Sequence, residues 1–272
     1  ALDEARNTLL YKRKGIRKGK QVPVPDLGYF APETSILHIT ESDGKQEFAQ
    51  TLGGPVYPEE PGKRNAEAMK YVNQIDAVLD AGEFDVFSRT YSTQVLDPMF
   101  MEPESGLAWL DPKTKTLHLL IGTQSPGYDV EGSHSLFAPT DCEIDVDTVH
   151  LYAAYPGGGF GGRDTSILCL WLALAAAYSD RPIRIAHDRF QQFQAGVKRH
   201  ASKIDLTVGL DGSNKFKVLR NHTLLNGGGR KNVSVFVAGV AGTIGTGPYE
   251  FDFADMWSRA QRTTSVVAGS MR

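Results

Sequence analysis

The sequence predicts a mixed α/β fold with strands in pairs and one buried helix directly after a glycine-rich loop. Three stretches carry this. "GLAWLDPKTKTLHLLIG", Gly106–Gly122, and "SKIDLTVGLDGSNKFKVLRNHTLL", Ser202–Leu225, each read as strand, turn and strand. "SILCLWLALAAAY", Ser166–Tyr178, is apolar on every side, as a helix buried all round must be. "YPGGGFGGRDTS", Tyr155–Ser166, sits before that helix and holds five glycines within six positions, broken only by Phe160. Glycine loses the most backbone entropy on folding, so such a cluster marks a place where something approaches the backbone closely.

In chain order, residues 21–65 are rich in proline, glycine and polar residues and read as a long irregular connection with one strand at Ser35–Thr40. Asn65–Asp76 has helical spacing through Ala68, Met69, Val72 and Ile75. Val86–Ser92 alternates with period two, as a strand does. "EIDVDTVHLYAAY", Glu143–Tyr155, is extended and feeds the glycine loop. Asp164 or Thr165 is the expected N-cap of the apolar helix, and "SDRP" ends it, because proline disfavours helix in its predecessor. "PIRIAHD" is a strand, and "GVAGTIGTGPYEF" reads as a second glycine-rich connection. The division expected is 1–64 as a linking segment and 65–272 as one domain.

The 272 residues carry a net charge of −3, with 41 % hydrophobic and 22 % charged residues, an ordinary globular balance. That argues against a nucleic-acid binder, and the basic run Lys12–Lys20 reads as a solvated segment. Cys142 and Cys169 are far apart and outside any CxxC pair, so reduced thiols in the cytoplasm fit better than disulfides or an iron–sulfur site. The longest apolar run is too short to span a bilayer. The start "ALDEAR" and the end "GSMR" read as those of a cloned domain or a processed subunit. Cys169 and Trp171 are expected in the core, and the scattered histidines, His134 included, show no ligand spacing.

Strand, glycine loop and helix N-terminus together present bare N–H groups and a helix dipole to an anion or oxo group. Walker A does not fit, because Arg163 and Asp164 stand where Lys and Ser/Thr are needed. GxGxxG fits Gly157, Gly159 and Gly162 only without a clear acidic ribose partner. Tight strand–helix packing is the other reading of the glycines.

Several motifs in order resemble the molybdenum hydroxylases, the large subunits of xanthine dehydrogenase and aldehyde oxidase. These are "GGGFGGRD" (157–164), "AAAYSDRPI" (175–183), Asp188, "GVKRH" (196–200), "FMEPESGLAWLD" (100–111), "GTQSP" (122–126) and the final "AGSMR". The resemblance spans residues 75–272 and implies the first molybdopterin-binding domain of that type, truncated at its C-terminus. It implies a molybdopterin cofactor in the cytosine dinucleotide form. It also implies hydroxylation of an aldehyde or N-heterocycle with oxygen from water. Iron–sulfur clusters of the 2Fe-2S type and FAD are expected on partner domains or subunits, and this piece alone is expected to be inactive. Gly159, Phe160 and Gly161 become cofactor-binding, with the Phe160 backbone near the metal's oxo ligand and no direct protein ligand to the metal. The family's substrate-contacting glutamate falls on Asp164, which competes with plain helix capping. Its metal-side glutamine falls on Leu96, which carries no amide, leaving Gln94 and Gln124 as candidates. Its purine arginine falls near Val240, so a substrate other than xanthine is expected. Arg272 matches the motif arginine facing the cofactor. Two other readings stay open: a non-catalytic binding or assembly module that has lost the cofactor, and a nucleotide-binding protein.

Overall fold

The computed structural model describes residues 29–31, 35–42, 45–52, 66–138 and 143–271. The chain forms two compact units: Leu96–Arg199 with Thr264–Arg272, and Leu27–Val95 with His200–Thr263.

In the first unit, β5 (Ser105–Asp111) and β6 (Thr116–Gly122) form the expected antiparallel hairpin. β7 (Thr148–Ala154) joins β6 in parallel, and β8 (Ile183–Ala186) closes the other edge against β5. The sheet order is β7-β6-β5-β8. Leu117, Leu119 and Ile121 point from β6 into a core shared with Leu168, Leu172, Ala173 and Ala176. These last belong to the helix Ile167–Ala177, here α3, which packs on β5 and β6. Trp171 is a correction: at 43 % exposure it faces outward, on the side of α3 turned from the sheet, whereas Cys169 is fully buried. The helix caps on Ser166, not on Asp164 or Thr165, and the Ser166 side chain accepts from the Cys169 N–H. A helix not anticipated, α2 (Pro126–Ser135), packs on β7 with His134 in its last turn. A second, α4 (Arg189–Ala195), starts in a capping box closed by Asp188 and Gln191. The short strands β9 (Lys198–Arg199) and β13 (Ala268–Gly269) pair in parallel. The extended run before the loop becomes a strand only at Thr148.

In the second unit, β2 (Ser35–Ser42) and β3 (Lys45–Leu52) form a hairpin. With β1 (Tyr29–Ala31), the stretch read as irregular therefore contributes three strands. β10 (Ser202–Leu210) and β11 (Phe216–Gly228) are the expected second hairpin. β11 and β12 (Phe253–Arg262) run parallel, and helix α5 (Ser234–Thr243) connects them. The stretch read as a glycine-rich connection therefore begins inside a helix. Ala238 and Gly242 are buried on it, and small residues let it lie close to the strands. β4 (Asp85–Thr93) completes a sheet of order β3-β2-β12-β11-β10-β4, with β1 also on β12. β4 has the expected period, yet all nine residues are exposed; among the described residues it is an edge strand, beside β10. α1 (Ala66–Asp80) runs four residues past the expected Asp76.

Asp255, buried on β12, accepts from Arg220 Nε and from His222 Nε2, both at 3.0 Å. Arg220 reaches on to Asp76 at the same time, which ties α1 to the sheet. Among the described residues no helix is long and apolar enough to cross a membrane.

Candidate functional site

The glycine loop lies in the first unit, between the end of β7 and the start of α3. Three of its residues have left-handed backbones: Gly157 (φ 66°), Phe160 (φ 51°) and Gly161 (φ 83°). At Gly161 the need for glycine is twofold. The φ is unfavourable for other residues, and a Cβ there would strike the Ser270 carbonyl and sit 2.9 Å from Met271 Cα. At Gly159 a Cβ would overlap the Gln124 carboxamide. What approaches this backbone is thus, first of all, the protein's own chain.

Gln124 holds the loop. Its N–H donates to Arg163 O at 3.0 Å, and its Oε1 accepts from Gly161 N at 3.1 Å and Arg163 N at 3.2 Å. Gly162 N donates to Gly159 O at 2.7 Å, which tightens the turn. At the loop's start, Glu102 accepts from Gly158 N at 3.2 Å, and this bond is the largest cause holding its carboxyl below the usual range. Arg163 is buried, with its guanidinium 4.2 Å from the Phe100 ring centroid and bonded to the carbonyls of Pro156 and Glu102.

Beneath the loop lies a buried polar network. Glu104 accepts from Ser166 Oγ at 2.5 Å and from Gln192 Nε2 at 3.1 Å. Asp129 accepts from Ser166 N at 3.0 Å and from Thr123 Oγ1. These carboxylates fix the start of α3 and so the far end of the loop.

With these anchors counted, the N–H groups of Gly157, Asp164 and Thr165 remain without an acceptor among the described residues, and so do two successive ones at the turn, those of Gly159 and Phe160. Gly159 is itself buried, while the Phe160 side chain is 60 % exposed. Adjacent unpaired N–H groups at a left-handed turn make a concave donor pair, the arrangement that holds an anionic or oxo acceptor.

Asp164 is not a helix cap. Ser270 Oγ donates to it, and burial pushes its carboxyl up from the ordinary 3.8. A carboxyl with a raised folded value stabilises fully below its unfolded value and loses that contribution as pH rises through the folded one. Relative to Asp164→Asn, the wild type should therefore lose stability as pH climbs from below 3.8 through the raised folded value. Urea midpoints measured at several pH values for both proteins check this, and parallel curves would contradict it.

Of the other sequence candidates, Gln94 is exposed just past β4 and belongs to the second unit, apart from the loop's own. Leu96 is bridged to Arg199 by its carbonyl, at 2.8 Å from Arg199 N. Val240 lies half-buried on α5. Arg272 and Cys142 lie outside the described residues. Lys198 bonds Asp97 at 2.6 Å, and His200 bonds Ser234 at 2.9 Å, so both are framework groups. The roles of Glu102 and Ser270 escaped sequence reasoning, because each is defined by a partner more than fifty residues away.

A four-stranded sheet whose glycine loop presents backbone donors at the head of a buried helix defines a ligand-cradling α/β domain. Residues 57–272 match the family model of the molybdopterin cofactor-binding domain, and the chain belongs to that family. It is 27 % identical over 188 residues to the nicotinate dehydrogenase large molybdopterin subunit of Eubacterium barkeri, covering 68 % of this chain and 42 % of that one. It is 30 % identical over 128 residues to a probable xanthine dehydrogenase subunit of Bacillus subtilis, covering 47 % of this chain and 16 % of that one. The chain therefore spans less than half the length of these relatives. Its fold is that of the aldehyde oxidoreductase from Desulfovibrio gigas (TM-score 0.63, 17 % identity, 93 % of this chain and 23 % of that one). Quinoline 2-oxidoreductase from Pseudomonas putida 86 shares it (TM-score 0.61, 22 % identity, 72 % and 25 %).

Proposed function

We propose that this chain is part of a molybdenum-dependent hydroxylase and supplies part of the molybdopterin site. The observation that carries the reading is the pair of adjacent N–H groups at Gly159 and Phe160, without an acceptor among the described residues, on a loop whose Gly158, Gly161, Gly162 and Arg163 amides are bonded by its own chain. The residues present fit the group. The donors are backbone amides, so they take an oxygen acceptor without adding charge, and the loop's bonds to Gln124 and Glu102 fix their direction before anything binds. When bound, the molybdenum cofactor supplies the two-electron redox chemistry. Gly159, Phe160 and Gly161 would line it, the first two through their N–H groups, while the Gly161 N–H stays on Gln124 Oε1 and fixes the turn beside them. Asp164, with a raised carboxyl beside Ser270, retains a proton to higher pH than an ordinary aspartate and stands next in the chain to that loop. We assign it to substrate contact, and Arg272 to the cofactor.

The same reading gives the cofactor as the cytosine dinucleotide form and places 2Fe-2S clusters and FAD on partner domains or subunits. The substrate class is an aldehyde or an N-heterocycle, and the nicotinate named for one relative is of the second kind. The test is turnover of the intact protein with nicotinate and with an aromatic aldehyde in ¹⁸O-labelled water. One labelled oxygen in the product is expected. Product carrying unlabelled oxygen, or no turnover by protein shown to contain molybdenum, would overturn it.

A further inference from the structure

The sheet of the first unit has a second face, turned from α2 and α3. The register places Arg184 of β8 beside Leu107 of β5, Leu107 beside Leu120 of β6, and Leu120 beside Tyr152 of β7. Alternation puts this row opposite the core residues Ala108, Leu119 and Ile121. Toward the glycine loop the row deepens into a cleft of about 380 Å³, with Leu107 and Leu120 in its lining, Arg184 on the β8 side, and Tyr155 and Pro156 on the β7 side. That volume lies within the range of small-molecule sites, about 300–1,000 Å³.

The charges lining the cleft decide what it can hold. Glu102 and Arg163 line it along with Arg184. The Glu102 carboxylate is already engaged by Gly158 N–H, and the Arg163 guanidinium by two backbone carbonyls. The exposed Arg184 guanidinium has no hydrogen-bond or ion-pair partner among the described residues. Two guanidiniums against one carboxylate leave the cleft one positive charge, on a planar fork that suits a carboxylate. A bare phosphate would gain nothing from the leucines, and an apolar molecule would leave the cation unused.

We propose that this cleft binds a small organic monocarboxylate, its carboxylate on Arg184 and its carbon body against Leu107 and Leu120. The lining takes in Pro156 and Arg163 of the glycine loop but neither Gly159 nor Phe160, and the site needs no cofactor to be tested.

The probe is benzoate, titrated into the chain by calorimetry, with backbone amide shifts recorded in parallel. Saturable binding is expected, with shifts centred on Leu107, Leu120 and Ala154. Arg184→Ala should weaken it at least tenfold, and Arg184→Lys should fall between the two. Arg184 lies exposed on an edge strand, so both variants should fold normally, which their thermal midpoints verify. Benzyl alcohol, neutral and of similar shape, and inorganic phosphate should each bind at least tenfold more weakly than benzoate. The proposal is overturned by absent benzoate saturation, by unchanged affinity in Arg184→Ala, by shifts confined to other residues, or by either control binding as tightly as benzoate.

Discussion

Gly161→Val should cost about 2–6 kcal/mol of folding stability, the sum of left-handed backbone strain and overpacking, each about 1–3 kcal/mol. The first part arises because φ at this residue is 83°. The second arises because the new side chain meets the Ser270 carbonyl and Met271 Cα. Both neighbours are backbone, so neither can swing aside as a flexible side chain would. Since domains are stable by about 5–15 kcal/mol, the variant should be marginal at room temperature. Gly82→Ala supplies the control. Its φ is 73°, but a Cβ there meets nothing within 4 Å, so only the strain remains, about 1–2 kcal/mol. Urea denaturation of the two variants separates the effects, and equal losses would show that the approach of Ser270 to the loop contributes nothing.

Lys198→Met should cost about 3–5 kcal/mol, the typical effect of removing one member of a buried ion pair. Lys198 Nζ lies 2.6 Å from Asp97 Oδ2 with side chains 7 % and 12 % exposed, and it also donates to the carbonyls of Gln192 and Gly196. Without it, Asp97 keeps a charge with no counterion. Two sides of the glycine loop depend on this pair. Pro98, next to Asp97, sits where a Cβ on Gly162 would come within 2.6 Å of it. Lys198 itself pairs with Ala268, two residues before Ser270. Replacing both members, as Lys198→Met with Asp97→Leu, should recover most of the loss, because the uncompensated charge is then gone. A double variant no more stable than the single one would contradict this account.

The fold was legible where its signals are local. Both hairpins announce themselves by alternation and turn residues, and the apolar run after the glycine loop could only be a buried helix. Non-local elements were not legible. β2 owes its place to β12, whose Met256 pairs with Leu37 across more than two hundred residues. α5 was hidden because Gly239 and Gly242 look like loop residues, whereas buried Ala238 and Gly242 are small for the sake of packing. The N-cap was expected at Asp164 or Thr165 and lies at Ser166, two residues or one further on. Asp164 has the right chemistry for a cap, but Ser270 donates to it, and Ser166 takes the role.

The site shows the same division. The glycine loop stood out by composition, and Gln124 by its motif. That Gln124 Oε1 accepts two loop amides is a matter of three-dimensional placement, as is Lys198 on Asp97 across 101 residues. Composition identified a close approach to the loop but could not say that Ser270 and Gln124 make it.

The central claim is that the fixed loop, with its free amides at Gly159 and Phe160, holds a molybdopterin. The most direct test is the molybdenum and pterin content of the intact protein, purified as wild type and as Gly161→Ala, which alters the loop more mildly than valine. Near-stoichiometric molybdenum and pterin in the wild type, with a loss of tenfold or more in a variant that remains folded by circular dichroism, is the predicted result. Wild type without either component, or a folded Gly161→Ala loaded as fully as wild type, would contradict it.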